Sequence, residues 1–313
     1  MSIAFLFPGR GSQRPGMLHR LPDTAASATV LAEADWALRR LAARAGSADA
    51  AGAAGRAGTA GREYADGIAE LDTAEALEKS PVACHVALLV AGVAGARAMS
   101  EDEAVTPAFV AGEDVGGYAA AVIAEVLTLE EALRAVRLRG ELLERAEEPE
   151  GDVAIRLAQH LATVERRPQR VPYVSGAYGR SLRGDTNAVL DELARSVARP
   201  VPWEKVAAAL ADEGAACCVE LPPGRALTSR TAAVPGMRVV SVEEYGLADA
   251  AEFARPAGPG GTGGSEAGGS AHEGSPSGHA GGGPAHEAGP EAGGGGHAGA
   301  GGDDPWSGHS GFA

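Results

Sequence analysis

The chain has 313 residues, a formal net charge of −15, 45 glycines and three cysteines. An acidic protein repels phosphate backbones, so no nucleic-acid partner is expected, and an anionic ligand would need a local basic pocket. Cys217 and Cys218 are adjacent and Cys84 is distant, which is no disulfide framework and points to a reducing cytoplasm.

Ile3 to Phe7 is a continuous apolar run stopped by Pro8 and Gly9, the pattern of a strand buried on both faces of a parallel sheet. Met1 to Pro8 has neither a charged n-region nor a long apolar h-region, so no signal peptide is expected. The loop Gly9-Arg-Gly-Ser-Gln13 follows; its glycines suit a tight turn or a close backbone approach to a ligand. Ala25 to Ala43 reads as a helix, and the Ala/Gly-rich residues 46–61 as a flexible insertion. Ser80 is placed to cap a helix that begins with Pro81 and carries the apolar run Val82 to Ala96. That run is short and contains His85, so a buried core helix is expected and no membrane span.

The centre of the chain is Thr106 to Ala146. An apolar strand, Pro107 to Ala111, enters the turn Gly112-Glu-Asp-Val-Gly-Gly117, then a helix over Tyr118–Val126 and a second over Leu129–Ala146. A strand, a Gly-bracketed turn and a helix make a nucleophile elbow, whose apex side chain points outward beside helix N-terminal amides. Here the apex is Asp114. Beyond it, a helix over Val153–Val164, a strand over Val171–Ser175 and a helix capped by Asp185 and reaching Val197 are expected. Another helix up to Asp212, strands at Cys217–Leu221 and Met237–Val242, and a helical turn near Tyr245–Phe253 complete the pattern. Alternating strands and helices imply an α/β layer with a mainly parallel sheet. Ligands then sit at the carboxyl ends of strands, where the loops after Phe7, Ala111 and Leu221 would converge. Pro256 to Ala313 holds 22 glycines, six acids and no Lys or Arg. Such a segment cannot bury enough apolar surface to offset its chain entropy, so residues 255–313 are expected to form a disordered Gly/His-rich tail after a folded domain of 1–254. The five tail histidines (His272, His279, His286, His297, His309) are irregularly spaced, and no metal site is expected.

Four ordered motifs, and three narrower stretches beside them, carry a resemblance. Phe7-Pro-Gly-Arg-Gly-Ser-Gln13 resembles the opening loop of malonyl-CoA:acyl-carrier-protein acyltransferases, and Gly112-Glu-Asp-Val-Gly116 lies where that family has Gly-His-Ser-x-Gly. Val136-Arg-Leu-Arg-Gly140 is similar to its Arg-Gly helix, and Val219-Glu-Leu-Pro-Pro-Gly-Arg-Ala-Leu-Thr228 to its C-terminal Gly-Pro-Gly-x-x-Leu-Thr segment. Arg14 to Pro22, Leu71 to Leu77 and Ala198 to Trp203 look like the epsilon subunit of biotin-independent malonate decarboxylase. The resemblance implies an acyltransferase large subdomain with a hydrolase-like parallel sheet, its small ferredoxin-like subdomain largely missing. It implies malonyl-CoA and an acyl carrier protein as partners, with a coenzyme A thioester as substrate and no bound cofactor.

Carried over by position, the nucleophilic Ser falls on Asp114 and the preceding His on Glu113. The oxyanion hole would use the backbone amides of Arg10 and Val115. The Arg that clamps the malonyl carboxylate falls on Arg139, which suits a bidentate ion pair, and a Gln of the site falls on His85. Arg139 is either that clamp or a structural ion pair with Glu113 or Asp114; His85 is either a site residue or a core histidine. The general-base His has no counterpart. Roughly thirty residues separate Gly140 from Val171, too few for the subdomain that carries it, and His160 in that gap sits within a predicted helix. Acyl transfer needs a nucleophile, a base and an oxyanion hole. The expected protein is therefore a malonyltransferase-like pseudoenzyme; the other reading is a non-catalytic module that binds a carrier protein or a decarboxylase subunit.

Overall fold

The computed structural model describes residues 2–51, 67–145 and 149–255. Its six strands are β1 (Ile3–Phe7), β2 (Phe109–Gly112), β3 (Tyr173–Ser175), β4 (Arg180–Leu182), β5 (Cys217–Glu220) and β6 (Arg238–Ser241). They form one sheet in the order β4-β3-β2-β1-β5-β6, parallel throughout except for the antiparallel edge strand β4. Between β1 and β2 run α1 (Ala25–Ala51), α2 (Ala74–Lys79) and α3 (Pro81–Arg97); α4 (Gly116–Ile123), α5 (Leu129–Glu144) and α6 (Glu150–Ala162) precede β3. Then come α7 (Thr186–Arg195) and α8 (Trp203–Asp212), α9 (Ala226–Thr231) between β5 and β6, and the closing helices α10 (Val242–Tyr245) and α11 (Leu247–Ala254).

Helices cover both faces of the sheet, which is why β1 is apolar without alternation. Its Phe5 and Phe7 enter the larger core with α1, α3, α4 and α5, while Ala4 and Leu6 enter a smaller core with Trp203 and Leu210 of α8 and Leu227 of α9. The stretch Pro81–Asp102 is long and apolar enough to cross a membrane, yet 94% of its most apolar window is buried inside this fold. It is the core helix expected from the sequence. Ser80 starts it by accepting the Ala83 amide at 3.2 Å, and Thr128 starts α5 through a reciprocal bond with Glu131.

Several boundaries differ from expectation. α1 runs on through Gly46 to Ala51 instead of stopping at Ala43, because the alanines around Gly46 favour helix enough to carry it. The remainder of the predicted insertion, residues 52–61, lies outside the described residues, as does the predicted tail from Pro256. β4 was not anticipated: three residues show no periodicity, and its pairing with β3 follows from the turn at Gly176 to Gly179. Nor was α9, whose first amides are capped by a carboxylate on another element. Between α5 and β3, the described residues hold one helix, α6, and no strand, so they build no ferredoxin-like subdomain.

Candidate active site

The elbow follows from steric necessity at its glycines. A Cβ on Gly116 would stand 2.2 Å from the Phe7 carbonyl oxygen, so only glycine lets α4 start against the end of β1. The Glu113 amide donates to that same oxygen at 2.9 Å, and Gly116 N and Gly117 N donate to Glu113 O and Asp114 O. Asp114 sits at the apex with φ +50, a left-handed conformation that Asp tolerates better than most residues. The Arg10 and Val115 amides are not among the turn's own backbone bonds.

Arg139 reaches the apex from below. At Gly140 a Cβ would lie 2.6 Å from Val82 Cα, so the glycine lets α5 touch α3 next to Arg139. Arg139 is fully buried, and its Nη2 donates to Asp114 Oδ1. Arg10, from the loop after β1, donates its Nε to Asp114 Oδ2 at 2.7 Å. Burial works against the ionised Asp114 carboxyl, but the charges and hydrogen bonds of Arg139 and Arg10 hold it below the ordinary carboxylate value. Glu113 turns the other way and accepts from Arg230 Nη1 of α9 at 2.6 Å; Arg230 Nε also donates to Glu204 at 3.2 Å.

The loops after β1, β2 and β5 converge as the sheet order requires. Gly224, beyond β5, packs against Ser12, where a Cβ would stand 3.1 Å from that of Ser12. Glu220 at the end of β5 is fully buried and accepts from Leu227 N and from Thr228 N and Oγ1 at the start of α9. Burial raises its carboxyl nonetheless. A cleft of about 510 Å³ opens over the elbow, walled by Arg10, Asp114, Tyr173, Glu192, Val201 and Arg230. Glu192 of α7 accepts from the Ser175 hydroxyl, and burial, only partly offset by that bond, pushes its carboxyl up to about 7.

The structure thus brings Arg10, Asp114, Val115 and Arg139 together. Of the two alternatives for Arg139, it makes the ion pair with Asp114, and Glu113 pairs elsewhere. His85 lies on α3 with no solvent exposure, and neither ring nitrogen has a well-formed hydrogen bond among the described residues. Burial, reinforced by the nearby Arg139 charge, lowers its pKa to about 3, so it is a neutral group behind the elbow. Among the described residues no histidine lines the cleft; His160 sits on α6. Cys84 is also no substitute nucleophile, since burial pushes its thiol up to about 11. Sequence reasoning missed the Arg10 side chain, Arg230 and Glu192. For Arg10 the signal was available, an arginine between the glycines of the loop after Phe7; the other two lie far along the chain in no motif.

Residues 4–242 match the acyl transferase domain family. The chain belongs to that family. The acyltransferase fold also recurs in solved structures. A malonyl-CoA:acyl carrier protein transacylase from Xanthomonas oryzae superposes with a TM-score of 0.61 at 20% identity, covering 80% of this chain and 99% of that one. A malonyl-transacylase in complex with a type II PKS acyl-carrier protein gives 0.64 at 21% identity, over 80% and 99%. Among curated relatives, the malonyl CoA-acyl carrier protein transacylase of Escherichia coli is 33% identical over 153 residues, 49% of this chain and 42% of the relative. The matched part of this chain therefore spans less than half the length of that curated relative.

Proposed function

We propose that this chain is a malonyl-CoA:acyl-carrier-protein transacylase-type domain that docks a coenzyme A thioester and a carrier arm without passing the acyl group through a covalent enzyme intermediate. The observation that carries the reading is the ionic chain Arg10–Asp114–Arg139 at the elbow apex. A carboxylate attacks through an available, basic lone pair. Both carboxylate oxygens of Asp114 are engaged by guanidiniums, and its depressed pKa makes it a weak nucleophile. An anhydride formed there would hydrolyse before a carrier thiol reached it. The amides of Arg10 and Val115 remain suited to polarise a thioester carbonyl, so the surroundings of the reaction persist around an inert apex.

The relatives' names supply malonyl-CoA and an acyl carrier protein as the pair to test, with the thioester acting as ligand and no resident cofactor. The wording of residues 14–22, 71–77 and 198–203 favours the carrier subunit of a malonate decarboxylase as the protein partner. Three free, buried cysteines suit a reducing compartment such as the cytoplasm. The test is incubation with labelled malonyl-CoA and a holo carrier protein, alongside calorimetric titration of thioester and carrier. Binding without transfer of label is expected. Label moving onto the carrier at an enzymatic rate, or binding of neither partner, overturns the reading.

A further inference from the structure

The ionic pairing at the elbow also bears on which thioester the cleft accepts, and the following step rests on the docking just proposed. Three guanidiniums border the apex, and each is already matched: Arg10 and Arg139 to Asp114, Arg230 to Glu113 and Glu204. The deepest, Arg139, has no exposure and lies beneath Asp114, which is itself 15% exposed. An acyl carboxylate entering the cleft meets Glu113 and Asp114 before it can reach that guanidinium. It gains a buried counter-ion only by displacing a carboxylate tethered to the same chain, whose effective concentration a free ligand cannot match. Glu192 on the facing wall adds a third carboxyl, ionising near neutrality, to the same cleft. Like charges brought together away from water are strongly unfavourable.

We propose that Asp114 is a built-in occupant of the carboxylate clamp formed by Arg10 and Arg139, and that it makes the cleft selective for thioesters whose acyl group carries no carboxylate. The acyl group accepted is of the acetyl class, and malonyl is disfavoured. Asp114 is then a specificity-determining residue: its side chain supplies in cis the negative charge that Arg139 requires, and excludes the same charge from a ligand. The Arg139 Nε and Nη1 atoms, buried without partners among the described residues, fit this account, since one tethered carboxylate satisfies one edge of the guanidinium only.

The experiment titrates the full chain with acetyl-CoA and with malonyl-CoA at neutral pH, for the native protein and for Asp114→Asn. The native protein is expected to bind acetyl-CoA about tenfold or more tighter than malonyl-CoA, and Asp114→Asn to reverse the preference. Malonyl-CoA binding the native chain as tightly as acetyl-CoA, or tighter, overturns the selectivity and leaves the docking reading intact. If neither thioester binds either protein, the docking reading has failed, and a second measurement decides the clamp alone. In Asp114→Ala, acetate or malonate should raise the melting temperature relative to equal chloride, with no such rise in the native chain. Absence of that specific rise overturns the clamp.

Discussion

Arg139 donates a hydrogen bond to Asp114 from a position with no solvent exposure, and its Nε and Nη1 find no partner among the described residues. A buried guanidinium is tolerable only while its counter-ion stays. The apex carboxylate is thus a support of the fold.

Asp114→Ala should destabilise the chain by about 3–5 kcal/mol, the range for removing one partner of a buried ion pair. Urea denaturation followed by tryptophan fluorescence measures it. The pair also has an acid signature. Because the folded pKa of Asp114 is depressed below its ordinary 3.8, its contribution is fully present above that value and is lost as pH falls through the lower, folded value. The native chain should lose stability below about pH 4, and Asp114→Ala should lose less of it there. Equal acid sensitivity in both proteins would mean that the pair contributes nothing.

The elbow was legible because its glycines are dictated by close backbone approach, and close approach is written locally, in the spacing of Gly112 and Gly116. Arg139 was legible as an ion-pairing residue because Val136 to Gly140 resembles the family's Arg-Gly helix. Its partner was not decided by sequence, because Glu113 and Asp114 are neighbours whose side chains part only when Asp114 takes φ +50. Arg230 and Glu192 were illegible for a different reason. They reach the cleft from α9 and α7, more than 75 residues beyond the elbow, and nothing in their own segments differs from an ordinary amphipathic helix. The parallel sheet could be read from apolar runs, whereas the edge strand β4 is too short to carry a pattern.

Gly116→Ala tests the elbow's packing without touching any charge. The added methyl would meet the Phe7 and Pro8 carbonyl oxygens at 2.2 and 2.6 Å, both backbone atoms that cannot swing aside. Destabilisation of about 3 kcal/mol or more is expected, at the upper end of overpacking costs, read as a lowered urea midpoint. A loss below about 1 kcal/mol would show that α4 can shift away from β1.

Glu192 should give the opposite pH dependence from Asp114. Its folded pKa, about 7, lies above the ordinary 4.5, so between those values the folded state binds more protons than the unfolded state. Stability therefore falls as pH rises through that window, by about 3 kcal/mol at most, and is level above it. Glu192→Gln should remove the fall and melt higher than the native chain at pH 8. A melting-temperature profile that is unchanged by the substitution would mean that water reaches the Glu192 carboxyl and keeps it ionised.

The last prediction concerns repair of the catalytic apex. If the nucleophile alone were missing, Glu113→His with Asp114→Ser should restore malonyl transfer, since the turn, the Arg10 and Val115 amides and Arg139 are all in place. The double variant also frees Arg139 from Asp114 and leaves Arg230 with Glu204 alone, so an incoming malonyl carboxylate gains counter-ions that the native cleft withholds. Self-acylation of Ser at position 114, seen as an added malonyl mass, is therefore expected, but slowly. Transfer to a carrier thiol is not expected. Among the described residues no histidine lines the cleft, His85 is held neutral with a pKa of about 3 behind the elbow, and positioned proton transfer is worth roughly 10²–10⁴-fold. With α6 alone between α5 and β3 among the described residues, that side of the cleft has no strand layer to exclude water, which would compete with the carrier thiol. Robust transfer by the double variant would sink the account. If that transfer rose with an apparent pKa near 7 and vanished in Glu192→Gln, the base would be Glu192, the cleft carboxyl placed to ionise in that range.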